Sequence, residues 1–387
     1  MKPLGEGGLA RSRAERLQLS SEDLEQGSEY SLQLATVQDD LADHLAAWRE
    51  LAEAAIDSNV YLTPEFLIPN LELVQDEPYV VAFLYRTSST RSRHLVAVMP
   101  FCQKGPEWKR PFRHLVPLKN RYLWDPSPLL HPEGRGDTLS ALVSQLSDPL
   151  HPWSSVELVL PCEPNLGERK NVLITRDIES TTILRKPLSQ EEYRRRRGKS
   201  SLRSERRRRR QLGELGSIDV SVEHEVSGSL LDDFLLLESS GWKGHEGTAI
   251  RSRTADVLFL RTVTSAMEQE GRVMLVTMRL DDKLIGASLM LRLGTSLRAF
   301  KLCYDERLRR YSPGLLTASA SIDCFLEDES LHTVTGAGSP ESWQARFFLD
   351  VVSPVNVLLV RDSMLLRPFL KGLRIWRARC GQSRTRT

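Results

Sequence analysis

Cysteine is scarce in this 387-residue chain: the five present, Cys102, Cys162, Cys303, Cys324 and Cys380, are odd in number and scattered. No C-x-x-C pair and no histidine at metal-ligand spacing occurs, which argues against a disulfide framework or a zinc ribbon and for structural thiols in a reducing compartment. No apolar run approaches the ~20 residues that a membrane-crossing helix needs. The basic residues Lys2, Arg11, Arg13 and Arg16 are followed by no apolar segment, so the expectation is a cytosolic protein. H-E-x-x-H, G-x-S-x-G and G-x-x-x-x-G-K-[ST] are all missing, which makes zinc proteases, elbow-type serine hydrolases and P-loop NTPases poor readings. An excess of one charge is missing too: 53 Lys and Arg against 51 Asp and Glu leave a formal charge of +2. Any basic surface is therefore local, and whole-chain electrostatics names no partner. No metal is expected.

What is present divides into five stretches. Residues 1–29, rich in Gly, Ser, Arg and Glu, are expected to be a disordered leader. Residues 30–188 are expected to form a first domain. There Leu41, Leu45, Trp48, Leu51, Ala52 and Ala55 recur at helical spacing, and Pro64 suits the first turn of a second helix. Residues 78–86 and 94–102 then read as a hairpin. Strands are expected at 113–116 and 156–160, with a helix over 138–146 between them. Residues 189–213 crowd Arg194 to Arg197, Lys199, Arg203 and Arg206 to Arg210 into one window. Ser189 and Glu192 make a capping box, so this window reads as a linker helix weakened at Gly198. An RNA-binding patch at Arg206 to Arg210 is the weaker reading, because only Tyr193 offers an aromatic stacking platform. Residues 214–370 are expected to be a second domain, and 371–387 a basic tail.

The second domain carries the informative segment. A strand at 218–222, a helix reaching Glu238, Gly241-Trp242-Lys243-Gly244 and a helix over 254–270 lead into a three-strand meander with turns at Asp281-Asp282-Lys283 and Gly294-Thr295-Ser296. Its last strand, 297–304, is followed by basic residues to Arg310, by Ser312-Pro313-Gly314, and by a helix over 315–326. Strand, small-residue turn and helix together can hold a phosphate. Proline fixes φ at the helix start, glycine lets a ligand approach, and the first N–H groups of the helix lack partners and carry partial positive charge. Arg307, Arg309 and Arg310 stand just before that end. Strands at 331–334 and 355–360, with a short helix at 343–349 between them, complete the domain. Asp125-Pro126-Ser127-Pro128-Leu129-Leu130 echoes Ser312-Pro313-Gly314-Leu315-Leu316, which suggests two similar halves of which only the second has the glycine.

Gly241-Trp242-Lys243-Gly244, Gly247-Thr248-Ala249-Ile250, Lys301-x-x-Tyr304-Asp305-Glu306 and Tyr311-Ser312-Pro313-Gly314-Leu315-Leu316, together with the basic helix before them, resemble the cellulose-biosynthesis-protein-like branch of the GNAT acyltransferase superfamily. The resemblance spans residues 35–362 and is similar in layout to the tandem units of the peptidoglycan aminoacyl transferases. It implies an α+β fold of two tandem GNAT-like domains, each a mostly antiparallel sheet flanked by helices. It also implies acetyl-CoA or another acyl-CoA as donor, with transfer to an amine or hydroxyl of a polysaccharide, sugar or related precursor. Arg309, Arg310, Ser312, Gly314 and Leu315 would bind the donor; Glu238, Lys243, Tyr304 and Asp305 are the candidate catalytic groups, with His245 beside them. The chain departs from the pattern where an aspartate and a lysine are expected: Thr333 and Thr335 stand on the strand after the turn helix, and Gln344 before the next helix. A catalytically degenerate binding protein is the alternative.

Overall fold

The computed structural model describes residues 29–36, 38–55, 59–74, 77–88, 90–107, 112–162, 172–175, 180–336, 342–361, 366 and 371–372. The expected leader apart from Glu29, which opens the first strand, and the expected tail apart from Lys371 and Gly372, lie outside the described residues.

The first half opens with β1 (Glu29–Ala35), then α1 (Gln38–Ala42), α2 (Leu45–Ala54) and α3 (Pro64–Leu71). Strands β2 (Tyr79–Thr87) and β3 (Arg93–Lys104) form the expected hairpin, followed by β4 (His114–Pro117), β5 (Leu129–Leu130), α4 (Arg135–Leu146), β6 (Ser155–Leu160), β7 (Val172–Thr175) and β8 (Thr181–Arg185). Val80 to Tyr85 are all buried, so this strand has helices or chain over both faces, in keeping with its unbroken apolar run. The sequence reading named neither β1, β5, β7 nor β8; all but β1 are five residues or shorter.

The arginine-rich window forms two helices, α5 (Gln190–Arg197) and α6 (Lys199–Gly213), with Gly198 between them at φ 82° and ψ 147°. The Ser189 hydroxyl accepts the Glu192 N–H at 3.1 Å, as the capping box requires. These helices are packed, not merely solvated. Tyr193 and Leu212 are buried, and the Arg197 side chain is 2% exposed, bonded to Glu205 at 2.8 Å and laid 4.5 Å over the Phe347 ring. Arg203, Arg206, Arg207 and Arg209 face outward.

The second half runs β9 (Ile218–Glu223), α7 (Ser229–Ser239), α8 (Trp242–His245), α9 (Thr254–Gln269), β10 (Val273–Leu280), β11 (Lys283–Leu293), β12 (Ser296–Tyr304), α10 (Pro313–Glu327), β13 (Thr333–Thr335), β14 (Asp350–Val352) and β15 (Val355–Val360). Asp281 and Asp282, at φ 46° and 63°, make the two-residue β10–β11 turn, the left-handed geometry that matches strand twist. The fold is α+β with two tandem, mostly antiparallel sheets flanked by helices.

The sheets exchange strands. The first has the order β1-β2-β3-β4-β6-β15-β7 with β5 beside β3, and the second β14-β8-β13-β12-β11-β10-β9. Thus β8, inside residues 30–188, belongs to the second sheet, and β15, inside 214–370, belongs to the first. A boundary drawn along the chain cuts across this exchange. The core is shared as well: Trp48, Phe66 and Phe83 lie in one apolar cluster with Phe234, Phe259, Leu289 and Phe300. Among the described residues three ion pairs cross between the halves, Arg272 to Glu65 at 2.9 Å, Arg121 to Asp256 at 2.5 Å and Arg298 to Asp125 at 2.6 Å.

Candidate active site

Strand β12 pairs antiparallel with β11 along its length but parallel with β13 only over Ser296 to Arg298, against Thr333 to Thr335. From Ala299 to Tyr304 no strand among the described residues pairs with it on that side, so the sheet splays open. Helix α10 starts at the open end. Pro313 has no N–H, Leu315 and Leu316 donate to the Ser312 carbonyl at 3.1 Å each, and the Gly314 N–H has no backbone acceptor among the described residues. Ser312 is held at φ 55°, the left-handed region that costs a non-glycine residue about 1–2 kcal/mol, and its hydroxyl does not cap the helix. The helix mouth therefore presents a donor and the positive end of the dipole without a protein cap.

Around this mouth the structure gathers Tyr304, Asp305, Arg309, Arg310, Ser312, Gly314 and Leu315. The linking segment is a short 3-10 helix, Glu306–Tyr311, whose Arg309 and Arg310 are exposed, Arg310 lying 4.6 Å over the Tyr311 ring. The Gly241 backbone joins them: a Cβ there would sit 2.8 Å from Glu306 Oε1, so the Gly241-Trp242-Lys243-Gly244 loop is pressed against the turn. The side chains of Trp242 and Lys243 lie outside the described residues, while His245 is exposed.

Two candidate catalytic carboxylates are otherwise engaged. Asp305 caps the 3-10 helix, its Oδ1 accepting the Arg307 N–H at 3.1 Å, and it binds the Arg307 guanidinium at 2.9 and 2.6 Å with Lys283 at 3.5 Å. The bond from Arg307 holds its carboxyl below the usual range, against desolvation. A carboxylate so committed is a poor proton acceptor, and its bonds fix the turn. Glu238 is buried at the end of α7 and accepts the Ile250 N–H at 2.9 Å, tying the two ends of the loop 239–250 together. Gly314 also has a packing reason that the sequence did not show: a Cβ would meet Tyr304 Cδ1 at 2.6 Å. Its lack of a side chain is required by the tyrosine ring, whether or not a ligand approaches.

The other face of the splayed strand meets the first half. A bulge at Leu289/Met290 shifts the register so that Lys301 pairs with Leu289 and Ala299 with Met290, and Phe300 is the extra residue. Phe300 packs against Tyr61, Tyr122 and Trp124, and the Lys301 ammonium lies 4.9 Å over Tyr122 and 5.2 Å over Trp124. Next to them Arg298 binds Asp125, and the Asn59 amide donates to the Asp125 and Ser127 carbonyls at 2.7 Å each. Desolvation would raise the Asp125 carboxyl, but Arg298 and the bonds from Ser127 outweigh it and hold it low. Burial pushes the Tyr61 and Tyr122 hydroxyls well above their ordinary range. None of Tyr61, Tyr122, Trp124, Asp125 or Arg298 was singled out as a site residue from sequence, because each acquires its place only when the halves close on one another. The Asp125 echo is corrected here too: Leu129 and Leu130 form β5, and the helix that follows starts at Arg135.

Residues 199–350 match the model of the family described as acetyltransferase (GNAT) domain. The chain carries a GNAT-type acyltransferase domain. No curated protein matches the chain. Among solved structures, a conserved protein of unknown function from Bacteroides thetaiotaomicron VPI-5482 is similar over 86% of this chain and 100% of its own, at 8% identity and a TM-score of 0.52. FemX, with 9% identity over 87% of this chain and 100% of its own, has a TM-score of 0.49. A tandem GNAT protein from the clavulanic acid biosynthesis pathway has 12% identity over 86% and 98%, with a TM-score of 0.42. At these identities the first likeness is one of fold alone, and the other two are too loose to carry an argument.

Proposed function

We propose that the chain transfers an acyl group from an acyl-CoA to an amine or hydroxyl of a saccharide, polysaccharide or related precursor, as in the cellulose-biosynthesis-protein-like branch. The observation that carries this reading is the uncapped mouth of α10 at the splay of β12 and β13. The Gly314 N–H, the helix dipole and exposed Arg309 and Arg310 suit a pyrophosphate, with Ser312 and Leu315 shaping the turn. Bound there, acyl-CoA supplies the activated thioester carbonyl. The chain's residues orient it and handle protons. The acceptor nitrogen or oxygen attacks the thioester carbon, the carbon–sulfur bond breaks, the proton leaves the acceptor and one reaches the departing thiolate. Tyr304, whose ring Cδ1 lies 2.6 Å from where a Cβ on Gly314 would be, is a group beside the turn that can give that proton. Glu238 acts by holding the loop that carries Lys243. The half-buried Trp124, Arg298 and Lys301, backed by the buried Tyr61, are the acceptor side of the same strand.

The commitment of Asp305 to Arg307 favours a second reading, a GNAT-like protein that binds an acyl-CoA without turning it over. A screen of acyl-CoA species separates them. Binding to the folded state raises the melting temperature by mass action in either case, whereas release of free thiol in the presence of amino sugars occurs only for the transferase. An unshifted melting temperature with every acyl-CoA would refute both.

A further inference from the structure

The first half has a helix mouth of its own. Strands β4 and β6 pair in parallel, His114 with Ser155 and Leu115 with Val156, and α4 lies between them in sequence, just as α10 lies between parallel β12 and β13. Helix α4 begins after Gly134, whose φ is +64°, and no side chain caps it. Thr138 donates to the Gly134 carbonyl at 2.9 Å, while the N–H groups of Arg135, Gly136 and Asp137 have no acceptor among the described residues.

A buried charge is aimed at this mouth. Arg86, on β2, is 6% exposed, and no hydrogen bond or ion pair to its guanidinium occurs among the described residues. Its Nη1 lies 3.5 Å from where a Cβ on Gly134 would be. The guanidinium has no carboxylate against it among the described residues, and α4 directs its positive end to the same place, so the two positive charges add at this mouth. Glu133 is the acidic neighbour: its Oε2 is buried without a partner, and its charge and that of Arg86 act in opposite directions on His131. His131 Nδ1 accepts the Glu133 N–H at 3.3 Å, which leaves the ring uncharged in this arrangement. Asp137 is exposed in the first turn. Among the described residues the guanidinium and the three N–H groups therefore have no protein acceptor, and one carboxylate oxygen of Glu133 has no protein donor.

We propose that Arg86, the start of α4 and Glu133 form a second ligand site, for the phosphoryl group of a phosphate ester. With a second pKa near 6, such a group carries a proton in part of its population at neutral pH. It can then accept from Arg86 and the Gly136 region while donating to Glu133, which a bare carboxylate cannot do. The site stands apart from the α10 mouth and does not depend on the donor binding there.

The test is isothermal titration of the full chain with inorganic phosphate at fixed ionic strength. Arg86→Gln should weaken binding at least tenfold, and Arg86→Lys less. Gly136→Glu should weaken it as much while folding normally, since a Cβ there meets nothing within 4 Å and an acidic first turn suits a helix; it decides the matter should Arg86→Gln fail to fold. Charge reversal at Arg309 and Arg310 should leave this binding in place. Unchanged phosphate affinity in Gly136→Glu, or acetate binding as tightly as phosphate, overturns the proposal. With Arg309 and Arg310 reversed, displacement of phosphate by CoA would identify the ester as the donor's own, and no displacement would identify it as one borne by the acceptor; either result supports a phosphoryl site.

Discussion

Replacing Arg272 by methionine should destabilise both sheets together. Arg272 and Glu65 pair at 2.9 Å with side chains only 9% and 6% exposed, and they join the start of β10 to α3 across the two halves. Removing one partner of a buried pair costs about 3–5 kcal/mol, because the other charge stays buried. Here Glu65 keeps Arg49, at 3.1 Å but 55% exposed, so the loss belongs at the low end, about 3 kcal/mol. If the shared core makes the chain one cooperative unit, an unfolding entropy of about 2.1 cal/mol/K per residue turns that loss into a fall of roughly 4 °C in melting temperature. Were each half to melt alone, the affected half would fall by roughly 9 °C while the other stayed put. Calorimetry of the parent, Arg272→Met and the double variant with Glu65→Leu reads this directly. The double variant should recover most of the loss, since an apolar pair of similar size replaces the ions. Two separate transitions, or an Arg272→Met variant as stable as the parent, would refute the reasoning.

Gly314→Ala should cost about 1–3 kcal/mol in urea unfolding, since its Cβ would meet Tyr304 Cδ1 at 2.6 Å, and trimming Tyr304 to serine in the same chain should return part of the difference; additive losses would show that the ring is not the obstacle. The Arg298–Asp125 pair predicts an acid limb in stability. Because the Asp125 carboxyl is held low in the folded state, its contribution is present above about pH 4 and is lost as pH falls further through its folded value. Asp125→Asn should flatten that limb, and an unchanged pH profile would remove the pair from the account.

Period and punctuation made much of the second half legible in sequence. The β10–β11–β12 meander shows as three apolar runs separated by Asp281-Asp282 and Gly294-Thr295, of which Asp281, Asp282 and Gly294 take positive φ, and the helix after Pro313 follows from the proline itself. The Ser189 cap and the break at Gly198 were equally local. What sequence could not show is long-range. Strand β8 joins the second sheet through Val334 and Thr335, and β15 returns to the first through Val156 and Leu158, so the division at residues 188 and 214 did not anticipate the exchange. Asp305 looked like a free carboxylate because nothing in the order of residues says that Arg307, two positions on, turns back to hold it. Arg86 lay in an apolar run with no signal that a helix five decades of residues later would point at it.

The account rests on a donor phosphate meeting the start of α10, and CoA affinity in an Arg309→Glu/Arg310→Glu variant tests that most directly. Both side chains are exposed, and Arg309 and Arg310 form no ion pair among the described residues, so the substitutions leave the fold intact while setting two negative charges before the Gly314 N–H. Reversing two screened charges near a dianion should cost about 1–2 kcal/mol in total, a five- to thirtyfold weakening that shrinks as salt is raised. A folded double variant that binds CoA as tightly as the parent at low salt would contradict the assignment of the donor to this turn.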